Sequence, residues 1–200
     1  MKRAFLILIA AAACLFARAS FAVNPPGTAL PPPSTGGLAA LDPLVAKLTT
    51  HRRLLVIAAH PDDELLGCGG TVALHTKRGD EVTSVIVCEG ESLRYGQQGV
   101  GQSEHIRKAA ETLGVRDVRP LGFPDQRLDT MPLTEIIHPL DAIVKEVQPQ
   151  IVYCQWGGDI NRDHHLLFQA TLVATRPTAC WVRAVYAFDT ASSTEFTWPM

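Results

Sequence analysis

Seven consecutive residues, Ala58-Ala59-His60-Pro61-Asp62-Asp63-Glu64, bring an imidazole and three carboxylates together directly behind the apolar run Leu54-Leu55-Val56-Ile57. An uninterrupted apolar run of this length fits a strand buried on both faces of a parallel sheet. Proline suits the first helical position, and acids in a first turn agree with the helix dipole. The segment therefore reads as strand, sharp turn and helix start, at the strand edge where open α/β sheets place their ligands. His60 and Asp63 lie one helical turn apart, so a nitrogen and an oxygen can converge on one metal ion. Asp62, between them, points elsewhere and is available for proton transfer. The plainer alternative is an acidic helix start with a stray histidine.

A second stretch repeats the arrangement. The strand-like run Ile151-Val152-Tyr153-Cys154-Gln155-Trp156 empties into Gly157-Gly158-Asp159-Ile160-Asn161-Arg162-Asp163-His164-His165, followed by a helical pattern at Leu166, Leu167, Ala170, Leu172 and Val173. Two such strand ends on one sheet edge supply a third ligand, His164 or His165. Three protein ligands with one open position is the pattern of catalytic zinc.

The Ala-His-Pro-Asp-Asp-Glu run, paired with Asn161-x-Asp163-His164, resembles the PIG-L/LmbE family of zinc-dependent de-N-acetylases. The resemblance runs from about Arg53 to Trp198 and takes in Gly122-Phe123-Pro124-Asp125-Gln126-Arg127-Leu128-Asp129 and Ala174-Thr175-Arg176-Pro177. It implies one zinc ion per chain, held by His60, Asp63 and His164, with His164 favoured over His165. It implies Asp62 as the general base and Asp125 as a contact for substrate hydroxyls, with Glu64 structural. Many relatives carry a histidine where this chain has Asn161; oriented by an aspartate matching Asp163, it stabilises the tetrahedral oxyanion. Asparagine still donates a hydrogen bond there but carries no charge. Gln155-Trp156 also stand where the nearest branch suggests histidines.

The implied activity is removal of an N-acetyl group from an amino sugar or its glycoconjugate. Two alternatives are an amidase acting on another N-acyl conjugate and a catalytically weak metal- or sugar-binding domain. Asp62 argues against the last, because a pure metal-binding site has no need of it.

The elements that must position these residues alternate. Strands are expected at 54–59, 82–88, 118–121, 151–156 and 182–188, and helices at 62–78, 103–113, 132–147 and 163–175. This predicts a Rossmann-like α/β three-layer sandwich with a mostly parallel sheet and the site at the carboxyl ends of its strands. Gly67, Gly69 and Gly70 inside the first helix suggest close backbone approach to the sheet or a ligand. They do not form a dinucleotide fingerprint, and carboxylates fill the turn where a pyrophosphate would sit. Nucleotide binding is thereby disfavoured. The polar loop 89–101 is too long for a plain connection, and its Arg94 is a further candidate for substrate contact.

The chain has 200 residues and a formal charge of −2, which suggests no nucleic-acid or acidic-membrane partner. Residues 1–22 read as a secretory signal peptide: Lys2 and Arg3, an apolar run to Ala17, then Ala19-Ser20-Phe21-Ala22. The apolar run is short for a membrane span. Residues 23–40, with five prolines among Pro25, Pro26 and Pro31 to Pro33, read as an extended tether. Residues 41–200 are expected to form the deacetylase-like domain, opening on a short helix at Leu41 to Leu48 and, by the resemblance, expected to be short at its C-terminal end. The expected location is periplasmic or secreted, and the expected partner is a small-molecule or glycoconjugate substrate. Cys68, Cys88, Cys154 and Cys180 remain after signal removal, and three pairings or buried free thiols are both open to them.

Overall fold

The computed structural model describes residues 51–92 and 102–191. The expected signal peptide, tether and opening helix, Arg94 and the last nine residues lie outside these.

Among the described residues five strands and four α-helices alternate: β1 (Arg53–Ala58), α1 (Asp63–Lys77), β2 (Glu81–Cys88), α2 (Gln102–Leu113), β3 (Asp117–Phe123), α3 (Leu133–Val147), β4 (Ile151–Gln155), α4 (Arg162–Ala174) and β5 (Ala184–Phe188). The strands form one sheet in the order β3-β2-β1-β4-β5, and every pairing is parallel. Ile57 of β1 is opposite Val85 on one side and Cys154 on the other.

Side chains alternate across β1 with period two. Leu55 and Ile57 pack with Ile136, Leu140 and Val144 of α3 and Leu167 of α4. Leu54 and Val56 pack with Cys68 and Val72 of α1 and Ala110 of α2. The sheet is thus covered on both faces, and residues 54–58 are buried without exception. That is why the run reads as continuously apolar.

Chain order runs outward from β1 in both directions, through β2 to β3 and through β4 to β5. Strand order therefore reverses between β1 and β4, opening a crevice beyond their carboxyl ends. The two chemistry-bearing stretches leave the sheet at these two strands.

Several local features differ from expectation. β3 is longer, at Asp117–Phe123, and only partly buried. It is an edge strand, which is where Pro120 can sit without breaking a ladder. β5 starts later, at Ala184. A 3-10 turn over Leu128–Thr130, absent from the sequence expectation, seats Leu128 in the core. Of the helix α1 glycines, only Gly67 answers to close approach: a Cβ there would lie 2.1 Å from Phe188 Cδ2, whereas Gly70 faces open space. All four described cysteines are free, three of them buried.

Candidate metal centre

The turn after β1 is built tightly. Asp62 takes a left-handed conformation, φ 109°, one of three non-glycine residues with positive φ among those described. Such a backbone costs of order 1–3 kcal/mol and concentrates at functional sites. Its carbonyl starts α1, accepting the N–H groups of Leu65 and Leu66 at 2.9 Å each. Its own N–H donates to the buried carboxylate of Glu64 at 3.2 Å. Asp62 is exposed, whereas Asp63 is turned inward and is 3% exposed.

The second arm leaves β4 through residues 156–161. Asn161 caps α4, its Oδ1 accepting the Asp163 N–H at 2.9 Å. Asp159 accepts the Asn161 N–H at 2.8 Å through one oxygen and faces His164 Nδ1 at 2.9 Å with the other. The loop is pinned to the helix that carries His164.

These arms bring three donor atoms together. His60 Nδ1 lies 3.3 Å from Asp63 Oδ2, His164 Nε2 lies 3.2 Å from that oxygen, and the two nitrogens are 3.2 Å apart. Ligands about 2.0–2.1 Å from a tetrahedral ion stand roughly 3.3 Å from one another. The triangle has that size on all three edges. Three lone pairs so close repel unless a cation or shared protons lie among them. The donor set of two imidazoles and one carboxylate suits zinc, leaving a fourth position open. His165 is not part of the triangle; its Nε2 faces Gln169 at 2.8 Å.

Each ligand is held from behind. His60 Nε2 faces Asp163 Oδ2 at 3.1 Å and Asp125 Oδ1 at 3.3 Å. Asp163 Oδ1 accepts the Leu128 N–H at 3.1 Å, and Cys88 donates its thiol to Asp163 Oδ2 at 3.5 Å. Asp63 Oδ2 accepts the His60 N–H at 2.9 Å and the Gln155 side-chain amide at 2.7 Å. A carboxylate behind each imidazole fixes which ring nitrogen keeps the proton and which faces the ion.

Electrostatics follow from this crowding. Burial opposes charge on His60, but hydrogen bonds to Asp163 and Asp63 outweigh it and raise its pKa strongly. Burial likewise opposes charge on His164, yet Asp159 and Asp63 push it up to about 9. Asp63 is held well below the usual carboxylate range: the two histidines overcome its desolvation. The centre is a cup of carboxylates and imidazoles in which protons and a cation would compete for the same atoms. Glu64 moves the other way, to about 7, because of burial and the charges of Asp63 and Asp62. Burial pushes the Cys88 thiol up to about 11, so it keeps its proton and acts as a donor.

Six of the eight residues singled out from sequence, His60, Asp62, Asp63, Asp125, Asp163 and His164, lie at or beside this cup. Asn161 is at the N-terminus of α4, with its Oδ1 used in capping. Arg94 falls outside the described residues. Asp163 sits behind His60, where it acts as a positioning group. Four contributors were given no role from sequence: Asp159, Gln155, Gln126, whose amide lies 3.1 Å from His60 Nε2, and Glu89. Despite the cost of its partial burial, Glu89 is held at about 2 by the Ser92 hydroxyl and the N–H groups of Asp125, Glu91 and Ser92. Its position immediately after β2 was the available signal.

Comparison with known proteins agrees with this geometry. The family model described as GlcNAc-PI de-N-acetylase, PIG-L, matches residues 55–175, more than half of the chain. The protein named "Uncharacterized deacetylase YaiS" of Escherichia coli K12 is 32% identical over 139 residues, 66% of this chain and 73% of that protein. A Bacillus cereus protein named "Probable N-acetyl-alpha-D-glucosaminyl L-malate deacetylase 2" is 33% identical over 136 residues, covering 62% of this chain and 61% of its own. Among solved structures, GalB, the 4-carboxy-2-hydroxymuconate hydratase of Pseudomonas putida KT2440, superposes with TM-score 0.54 at 27% identity, covering 62% of this chain and 55% of that one. The chain thus spans about three fifths to three quarters of these curated relatives. With its two motifs on adjacent parallel strands and its matched residues covering the whole cup, the chain belongs to the PIG-L family of de-N-acetylases.

Proposed function

We propose that this protein is a zinc-dependent hydrolase that removes the N-acetyl group from an N-acetylated amino sugar or its glycoconjugate. The observation that carries the reading is the triangle of His60 Nδ1, Asp63 Oδ2 and His164 Nε2, with edges of 3.2–3.3 Å, beside the strained and exposed Asp62. Zinc held by those three residues would supply a water acidic enough to ionise near neutral pH and a Lewis acid for the amide carbonyl.

The chain's own groups do the rest. Asp62 takes a proton from the attacking water and, as a carboxylic acid, delivers it to the departing nitrogen. The C–N bond breaks, leaving acetate and a free amine. Asn161, its oxygen occupied in capping, has its amide N–H groups left for the developing oxyanion. Asp125, buried and fixed through its N–H to Glu89, offers a carboxylate to sugar hydroxyls at the crevice. Asp163 and Asp159 hold the two imidazoles. Export through the N-terminal 22 residues belongs to the same reading, supported by the signal-like pattern there.

The GalB likeness favours one second reading, addition of water to a carbon–carbon double bond in the same cup. One experiment separates the two. Amine and acetate release from a panel of N-acetylglucosamine conjugates is measured with zinc-loaded protein beside Asp62→Asn. The expected outcome is turnover by the parent and a loss of about 10²- to 10⁴-fold in the variant, with bound zinc unchanged. Stoichiometric zinc without amine release from any conjugate sinks the deacetylase reading; consumption of an unsaturated acid by that same protein would put the hydratase reading in its place.

A further inference from the structure

Gln155 is the last residue of β4 and is wholly buried. Its two polar atoms fare differently. Nε2 donates to Asp63 Oδ2 at 2.7 Å, while Oε1 has no hydrogen-bond partner. A buried carbonyl left unpaired is unfavourable. Rotating the amide by half a turn does not relieve this, because it would set Oε1 against the Asp63 carboxylate at 2.7 Å, oxygen to oxygen. The orientation is therefore dictated by Asp63, and the orphaned oxygen is its consequence. An apolar side chain of similar size would fit a buried strand end better, so the amide is unfavourable to the fold and serves its neighbour.

We propose that Gln155 is a positioning residue of the metal centre. Its amide holds Asp63 Oδ2 at the third corner of the donor triangle and so sets the affinity of the centre for a divalent cation. The inference rests on the metal-centre reading above. Asp63 sits at the start of α1, and the His60 and His164 nitrogens that face its Oδ2 are themselves corners of the donor triangle. Outside the triangle that oxygen is held by the His60 N–H, from its own turn, and by Gln155, 92 residues away in sequence, which couples the ligand on the β1 arm to the strand carrying the other arm. Partners of this kind typically account for about 10- to 100-fold in metal affinity.

The test is Gln155→Met, which keeps the length and removes both polar atoms; Gln155→Leu carries the same deletion should methionine pack badly. Two quantities are read on the full chain: the zinc dissociation constant, by competition with a chromophoric chelator, and the thermal midpoint of the metal-free protein. The expected result is zinc binding weakened about 10- to 100-fold with the metal-free midpoint little changed, since loss of the hydrogen bond to Asp63 is offset by removal of the orphaned carbonyl. A merely structural amide would move both downward together. Zinc affinity within twofold of the parent, or a parallel fall of affinity and midpoint, overturns the proposal. A parent protein that binds no zinc overturns the metal centre itself, and with it this inference. Failure in the variant comparison alone leaves the centre standing.

Discussion

Replacing Asp163 by asparagine exchanges one oxygen for nitrogen at a position where both oxygens are in use. Oδ2 faces His60 Nε2 at 3.1 Å, and Oδ1 accepts the Leu128 N–H at 3.1 Å. The side chain is 1% exposed, so water cannot replace either contact. Asparagine offers a single oxygen where Asp163 meets His60 Nε2, the Leu128 N–H and the Cys88 thiol. With its oxygen towards Leu128, its NH₂ confronts the His60 N–H, and the ring must move its proton to Nδ1, the atom that faces the other two ligands. With its oxygen towards His60, a buried NH₂ confronts the Leu128 N–H. Either arrangement forfeits a hydrogen bond to a charged group, about 1.5–3 kcal/mol. If that loss falls on the ligating tautomer, zinc binding weakens roughly 10- to 150-fold. The assay is competition with a chelator, with ¹⁵N shifts of the His60 ring in the zinc-loaded protein reporting whether Nε2 keeps its proton. An Asp163→Asn protein that binds zinc within threefold of the parent and keeps the proton on Nε2 would falsify the reasoning.

Two further predictions concern stability. Gly67→Ala gains about 1 kcal/mol of helix propensity but drives a methyl to 2.1 Å from the buried Phe188 ring. Overpacking at the upper end of its usual range, about 3 kcal/mol, leaves a net loss of roughly 2 kcal/mol in urea unfolding; an equal or more stable variant contradicts the packing account. The metal-free protein should also lose stability as pH rises. His60 and His164 have raised pKa values, so their contribution is fully present below about pH 6.5 and is lost as pH passes through about 9 for His164. Glu64, raised to about 7, works in the same direction. The thermal midpoint should fall between pH 6.5 and 9.5 without metal and fall less with zinc bound; a flat or rising metal-free midpoint refutes it.

The fold class and the two arms of the site are legible in the residues alone. Leu54 to Ile57 is apolar at every position because its strand is buried on both faces, and a parallel sheet covered by helices is what such runs build. His60, Asp63 and His164 were legible because each lies between such a strand's end and the first turn of the helix that follows it, where local chemistry and local geometry are one problem. The ring of supporting groups was settled only in three dimensions. The resemblance favoured His164 over the adjacent His165, and the physical reason lies in the direction in which α4 leaves its Asn161 cap, which turns one inward and the other towards Gln169. Asp163 faces His60 across a separation of 103 residues and Gln155 faces Asp63 across 92. Neither contact has a local signature, because both come from placing β4 beside β1. That pairing is a property of sheet order, and sheet order is set by how α1 and α2 cover one face and α3 and α4 the other.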